Sequence, residues 1–180
     1  MRSLLLALCL PLVACATTSG RSGLQDGWFQ KKVDLEGPTG SGSIAVRYTA
    51  GHPAGWQRGM TPPGDFAWYS PDLGATLYAD TSCGKRYQDA KLTVLANHLV
   101  MGFEGLSDVA EQELMLNDRA ALERTARGSL DGVPVVLGLT VLKNGPCVFD
   151  LIYVGDPRHQ EEGMAAFRAF RDGFRARFDP

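Results

Sequence analysis

The sequence predicts an α+β domain in which an antiparallel β-sheet is covered by two main helices. Three observations carry this expectation. Apolar and polar residues alternate with a period of two along several short runs, and two other runs place apolar residues at the 3–4 spacing of a helix face. Asp131-Gly132 and Asn144-Gly145 read as tight hairpin turns, which join neighbouring antiparallel strands.

In chain order, Phe29, Lys31, Val33 and Leu35 alternate with Gln30, Lys32 and Asp34, and Ile44, Val46 and Tyr48 repeat the period. Between them, Gly40-Ser41-Gly42-Ser43 reads as a flexible turn. It leads into a strand instead of a helix N-terminus, so it lacks the free amides that would cradle a phosphate. His52-Pro53-Ala54-Gly55-Trp56 is a turn closed by a large aromatic that is expected to be buried. Phe66–Tyr69 and Ala75–Asp80 flank the Ser70-Pro71-Asp72-Leu73-Gly74 turn as two short strands. A helix is predicted over Ala90–Phe103, with Leu92, Leu95, Ala96, Leu99 and Phe103 on its buried face and Gly105 closing it. Leu106–Asn117 follows no single period and admits a short helical start before a strand at Glu113–Leu116. Ala120–Ser129 reads as a strand. Val133, Val135, Leu137, Leu139 and Val141 alternate cleanly, and Cys147–Val154 pairs back across a type I′ turn at Asn144-Gly145. The last helix is predicted over Arg158–Phe178, with Met164, Phe167, Phe170, Phe174 and Phe178 on one stripe and Arg168, Arg171, Arg175 and Arg177 around the rest.

The first fourteen residues have a separate logic. Arg2 supplies a positive end, Leu4–Leu12 an apolar stretch, and Val13-Ala14 the small residues of a cleavage site. The stretch is about half the ~20 residues that a membrane-spanning helix needs. Cys15 directly follows, so Leu12-Val13-Ala14-Cys15 reads as a lipobox: cleavage before Cys15, which on the likeness to bacterial lipoproteins is expected to carry a diacylglyceryl group and usually a third, amide-linked chain of the palmitate type. A plain signal peptide with an incidental cysteine is the alternative. One acyl chain binds membranes marginally and two or three hold stably. Ala16, in place of the Asp of an inner-membrane retention signal, favours the outer membrane, with the body in the periplasm or at the surface. The expected organisation is therefore a lipoprotein signal peptide at 1–14, a lipidated N-terminus and flexible Gly/Ser-rich tether at 15–27, and one globular domain at 28–180.

Removing the signal leaves 17 basic residues against 20 acidic, a net charge of 17 − 20 = −3. Without a dense Lys/Arg run, no nucleic-acid partner is expected. Of the four cysteines, Cys9 leaves with the signal and Cys15 is acylated. Cys83 and Cys147 remain, and an oxidising compartment pairs them. Neither lies in a CxxC or beside a histidine, which disfavours a redox or metal role.

Candidate chemistry is sparse. His52, His98 and His159 share no short motif with Cys, Asp or Glu, and His98 is expected to be partly buried beside its helix's apolar face. The GxSxG, HExxH, GxxxxGK[ST] and GxGxxG patterns do not occur. Asp80-Thr81-Ser82 offers only the start of a calcium ligand set. The phenylalanine stripe is expected to be core, and the arginines beside it a solvated face or one that rests on acidic lipid headgroups. Trp28, Trp56 and Trp68, with Tyr48 and Tyr69, make the N-terminal half aromatic.

The Pro53-Ala54-Gly55-Trp56 element after a β-hairpin, then a helix, a four-strand meander and a C-terminal helix, resembles the PsbP-like α/β/α sandwich. The chain also looks like lipoproteins of Gram-negative bacteria of the myxobacterial type. The resemblance implies a small secreted or lipid-anchored domain and carries over no ligand set. The expected function is a non-catalytic binding or scaffold module, with no cofactor or metal, held by membrane lipid through Cys15 and docking to an envelope protein. Two alternatives stand beside it. A small-molecule or lipid carrier needs an apolar pocket between sheet and helix, and an envelope enzyme needs acidic or histidine groups brought together by the fold.

Overall fold

The structure, a computed structural model, describes residues 28–37, 40–61 and 65–179. The expected signal peptide, Cys15 and the tether lie outside the described residues.

Among the described residues, ten strands and two helices follow one another as β1 (Phe29–Gly37), β2 (Gly40–Thr49), β3 (Gln57–Arg58), β4 (Phe66–Ser70), β5 (Ala75–Cys83), α1 (Leu92–Leu99), β6 (Phe103–Leu116), β7 (Arg119–Leu130), β8 (Val133–Asn144), β9 (Cys147–Gly155), α2 (Gln160–Asp172) and β10 (Arg175–Asp179). Two antiparallel sheets result. The larger has the order β3-β4-β5-β9-β8-β7-β6, and the smaller is β1-β2-β10. The fold is mostly antiparallel sheet with two helices, richer in strand than the expected α+β balance.

β8 explains the layering. Its stretch 135–142 is buried at every position, not at alternate ones. A strand buried on both faces needs cover on both sides. Leu137, Leu139 and Val141 face Leu95 and Ala96 of α1. On the other face, Val136 and Leu142 join Leu77, Phe149 and Tyr153 beneath α2 and the smaller sheet. Phe167, Phe170 and Phe174 are fully buried there, and burying a side chain of this size contributes about 2–3 kcal/mol. Phe29 stacks on Phe66 with ring centroids 4.0 Å apart, which joins the two sheets. Neighbouring residues of β7 serve opposite faces: buried Glu123 pairs with Arg171 of α2, while buried Arg124 reaches Asn97 of α1 at 2.8 Å.

Several expected elements are corrected. The last helix ends at Asp172, and Phe174 and Phe178 belong to the turn and to β10, which pairs with β2. A spacing of four fits both the helical period and the strand period, so the stripe does not distinguish them. The first helix is shorter, and Phe103 opens β6; Gly102 (φ 99°) marks the change, while Gly105 lies inside the strand. Leu106–Asn117 is strand almost throughout, without a helical start. Register shifts between Glu104 and Ser107 and between Ser107 and Ala110 scramble its period. The second hairpin turn is Gly145-Pro146, since Asn144 pairs with Cys147. Gly145 has φ 56° and proline fixes a negative φ after it, which makes the turn type II′. Gly40–Ser43 opens β2 and is not a loop.

Cys83 and Cys147 are directly opposite on β5 and β9 and form a disulfide, with Cα atoms 3.9 Å apart and a sequence separation of 64. α2 can approach the sheet because position 163 lacks a side chain: a Cβ there would overlap the Tyr153 hydroxyl.

Two outcomes follow. Gly163→Ala lowers unfolding free energy by about 1–3 kcal/mol in a urea titration; an unchanged midpoint contradicts the packing of α2 on Tyr153. Iodoacetamide labels neither Cys83 nor Cys147 in the denatured, unreduced chain, and reduction destabilises the fold by up to about 4 kcal/mol. Labelling without reductant shows that the bridge is absent.

Candidate functional site

Two polar features stand out against the packed interior. The first is an open groove of about 550 Å³ between β7, α2 and the short 3₁₀ turn Pro157–His159. Its position follows from the strand register. Thr125 and Arg127 of β7 point to the α2 side opposite Gly138 and Val136, and Met164 of α2 completes the wall. Three guanidiniums rim it. Arg127 donates to Gln160 Oε1 and lies 3.7 Å from Asp108. Arg158 is held by Asp156, whose side chain also accepts from the Arg158 amide at 2.8 Å. These bonds hold the Asp156 carboxyl down at about 2. Arg168 is exposed and makes no ion pair among the described residues. Asp108 and Glu161 also line the groove. Arg127 and Arg158 are already engaged by Asp108, Gln160 and Asp156. The fork that stays open for a charge-assisted contact to a carboxylate or phosphate is therefore that of Arg168, above an apolar floor at Val136 and Met164.

The second feature is a cluster of acids at the edge of β5. Pairing with β4 stops at Phe66↔Ala79, which leaves the Thr81 carbonyl open on that side for Lys31 Nζ at 2.8 Å. Lys31 is also 3.5 Å from both Asp65 and Asp80. Tyr78 donates to Asp65 Oδ2 at 2.9 Å. Burial, then the neighbouring Asp80, pushes the Asp65 carboxyl upward. Asp80 lies directly across from Asp150 of β9, and burial followed by the Asp80 charge pushes Asp150 up to about 7. Asp65 and Asp80 are thus within hydrogen-bond reach, as the enzyme reading requires. Both are engaged with one another, Lys31 and Tyr78, and Asp65 is only 9% exposed.

The remaining candidates are scattered. His52 is exposed, stacked on Trp68 at 4.0 Å, with Nε2 3.3 Å from the Trp56 carbonyl. His98 is exposed on α1, not partly buried as expected, because Leu95 and Ala96 fill the face that meets the sheet. His159 precedes α2. Asp80 faces Lys31, and the buried Thr81 hydroxyl donates to the Val148 carbonyl at 3.0 Å, which leaves their calcium reading without a ligand set among the described residues. Trp56 is 8% exposed, as expected. Between α2 and the sheet, the Phe167 ring and the Met164 methyl lie against Gly138, so the carrier's apolar pocket is filled. Lys31, Asp65 and Asp150 carry no motif; the one visible signal was a charge inside the apolar run Cys147–Gly155.

Asp150 sets a pH dependence. The folded chain keeps its proton between about pH 4 and 7, where the unfolded chain has released it, so stability falls as pH rises through that window. Asp65 adds in the same direction. Asp150→Asn flattens the fall measured by thermal melting between pH 4 and 8 and makes the protein more stable than wild type at pH 8. Parallel profiles for the two proteins contradict the shift.

No family model matches this sequence, and no curated protein matches it. Solved structures do. LpqN, involved in cell envelope biogenesis of Mycobacterium tuberculosis, is 15% identical with a TM-score of 0.53, over 85% of this chain and 92% of that one. Cyanobacterial PsbP (CyanoP) from Synechocystis sp. PCC 6803 is 13% identical with a TM-score of 0.50, over 93% of this chain and 99% of that one. A protein from Bacteroides thetaiotaomicron is 14% identical with a TM-score of 0.49, over 73% of this chain; the match spans 45% of that longer protein. The likeness is one of fold: the chain shares the PsbP-like architecture of antiparallel sheet and covering helices.

Proposed function

We propose that this protein is a lipid-anchored, non-catalytic binding module of the bacterial cell envelope, acylated at Cys15 and docking an acidic segment of an envelope partner in the α2–β7 groove. The groove carries the reading. It brings Arg127, Arg158 and Arg168 together on an accessible surface above a filled core, with Arg168 free of any ion pair among the described residues to meet a carboxylate of the partner. The fold likeness to LpqN, a protein of envelope biogenesis, supports the address, as does the lipobox. No helix among the described residues is long and apolar enough to cross a membrane, so in this reading attachment falls to the acyl chains. Anchoring holds the domain at one surface, where effective concentration compensates for modest affinity. The outer membrane is the favoured destination.

Native mass spectrometry of the protein extracted from its own membrane in mild detergent tests this. The expected result is an acylated chain with a second polypeptide in fixed ratio, lost on Arg158→Ala/Arg168→Ala, while Cys15→Ser moves the protein to the soluble periplasmic fraction. A bare chain, or a complex that the double variant keeps, overturns the groove; a Cys15→Ser protein that stays in the membrane overturns the anchor.

A further inference from the structure

Among the described residues on the outer face of the smaller sheet, Lys32, Ser43, Arg175 and Arg177 are exposed, and the register gathers cations that are scattered in sequence. Val46 and Tyr48 of β2 point into the core, so Arg47 points out. β10 runs beside it with Arg175 opposite Thr49 and Arg177 opposite Arg47. Both β10 arginines are exposed. The Arg177 guanidinium lies 4.3 Å from the centre of the Trp28 ring, a cation–π contact that holds an aromatic on the same surface. Arg175 donates to the Asp172 and Phe174 carbonyls. In the next row Lys32, Ala45 and Asp179 share register positions, so the cationic end of the face is the end that carries Trp28.

That end is where the chain arrives from its anchor. Twelve residues separate Cys15 from Trp28, a span of at most about 45 Å when fully extended. An acylated Cys15 therefore keeps this edge of the domain within about 45 Å of the bilayer surface.

We infer that Trp28, Arg175 and Arg177 form a membrane-docking face that binds anionic phospholipid headgroups and sets the domain's orientation on the bilayer. Arginine pairs with phosphate oxygens in a bidentate manner, and an indole beside it sits at the headgroup level. The groove lies on β7 and α2, away from this face. Acylation explains why a membrane is near, but headgroup binding does not require it, and the test separates the two.

The test is sedimentation of the mature Cys15→Ser chain with vesicles of phosphatidylcholine, with and without 30% phosphatidylglycerol (about one lipid in three; the anionic fraction follows the surface-charge argument). The expected result is binding to the anionic vesicles alone, weakened by salt. Each juxtamembrane cation contributes roughly fivefold, so Arg177→Gln loses roughly fivefold and Arg175→Gln/Arg177→Gln roughly 25-fold, with unchanged melting temperature for the single variant. Lys91→Gln, which removes an exposed cation at the start of α1, leaves binding intact. Equal binding to neutral vesicles, no binding to either, a loss in the Lys91 variant equal to that of Arg177→Gln, or capture by soluble heparin in preference to vesicles overturns the inference.

Discussion

Burial of β8 on both faces is the constraint from which the rest of the molecule follows. A run of eight buried positions in one strand cannot face water on either side. α1 therefore covers one face, and α2 with the smaller sheet covers the other. Neighbouring charges of β7 then reach both helices, Glu123 in an ion pair with Arg171 of α2 and Arg124 in a hydrogen bond to Asn97 of α1. A buried ion pair contributes little net stability, but loss of one partner strands the other charge at a cost of about 3–5 kcal/mol. Such pairs specify which helix sits where more than they hold it there.

A sandwich filled in this way leaves chemistry to its surfaces. The space between sheet and α2 that a carrier needs is occupied by phenylalanine rings. The acids brought together at the β5 edge answer to Lys31 and Tyr78. What remains accessible is the arginine-rimmed groove on one side of α2 and the cationic end of the smaller sheet. In the proposed reading both take anionic partners, the groove a polypeptide carboxylate and the sheet a lipid surface.

Much of this fold was legible in the sequence because the physics was local. The strand-forming runs of β7 and β8, the Asp131-Gly132 turn and the amphipathic start of α2 need only neighbouring residues, although burial of β8 on both faces was not visible in its alternation. The misread elements are those set from outside. Phe174 and Phe178 sit at a spacing common to helix and strand, and only pairing of β10 with β2 decides it. β6 is an exposed edge strand with two register shifts, so neither burial nor period marks it. The site was less legible. Arg127, Arg158 and Arg168 are brought together by a crossover from β7 to α2, and Lys31 reaches Asp65 and Asp80 across 34 and 49 residues of sequence. Arg47, Arg175 and Arg177 share a face only because the C-terminal strand returns to the start of the domain.

The most direct test of a surface-acting module is photo-crosslinking in living cells from single positions on the folded chain. A crosslinker at Glu161, exposed on the groove rim, is predicted to capture one envelope protein that a crosslinker at exposed Met101, beyond α1, does not. The same capture from both positions, or none from Glu161, would contradict the groove as the working surface.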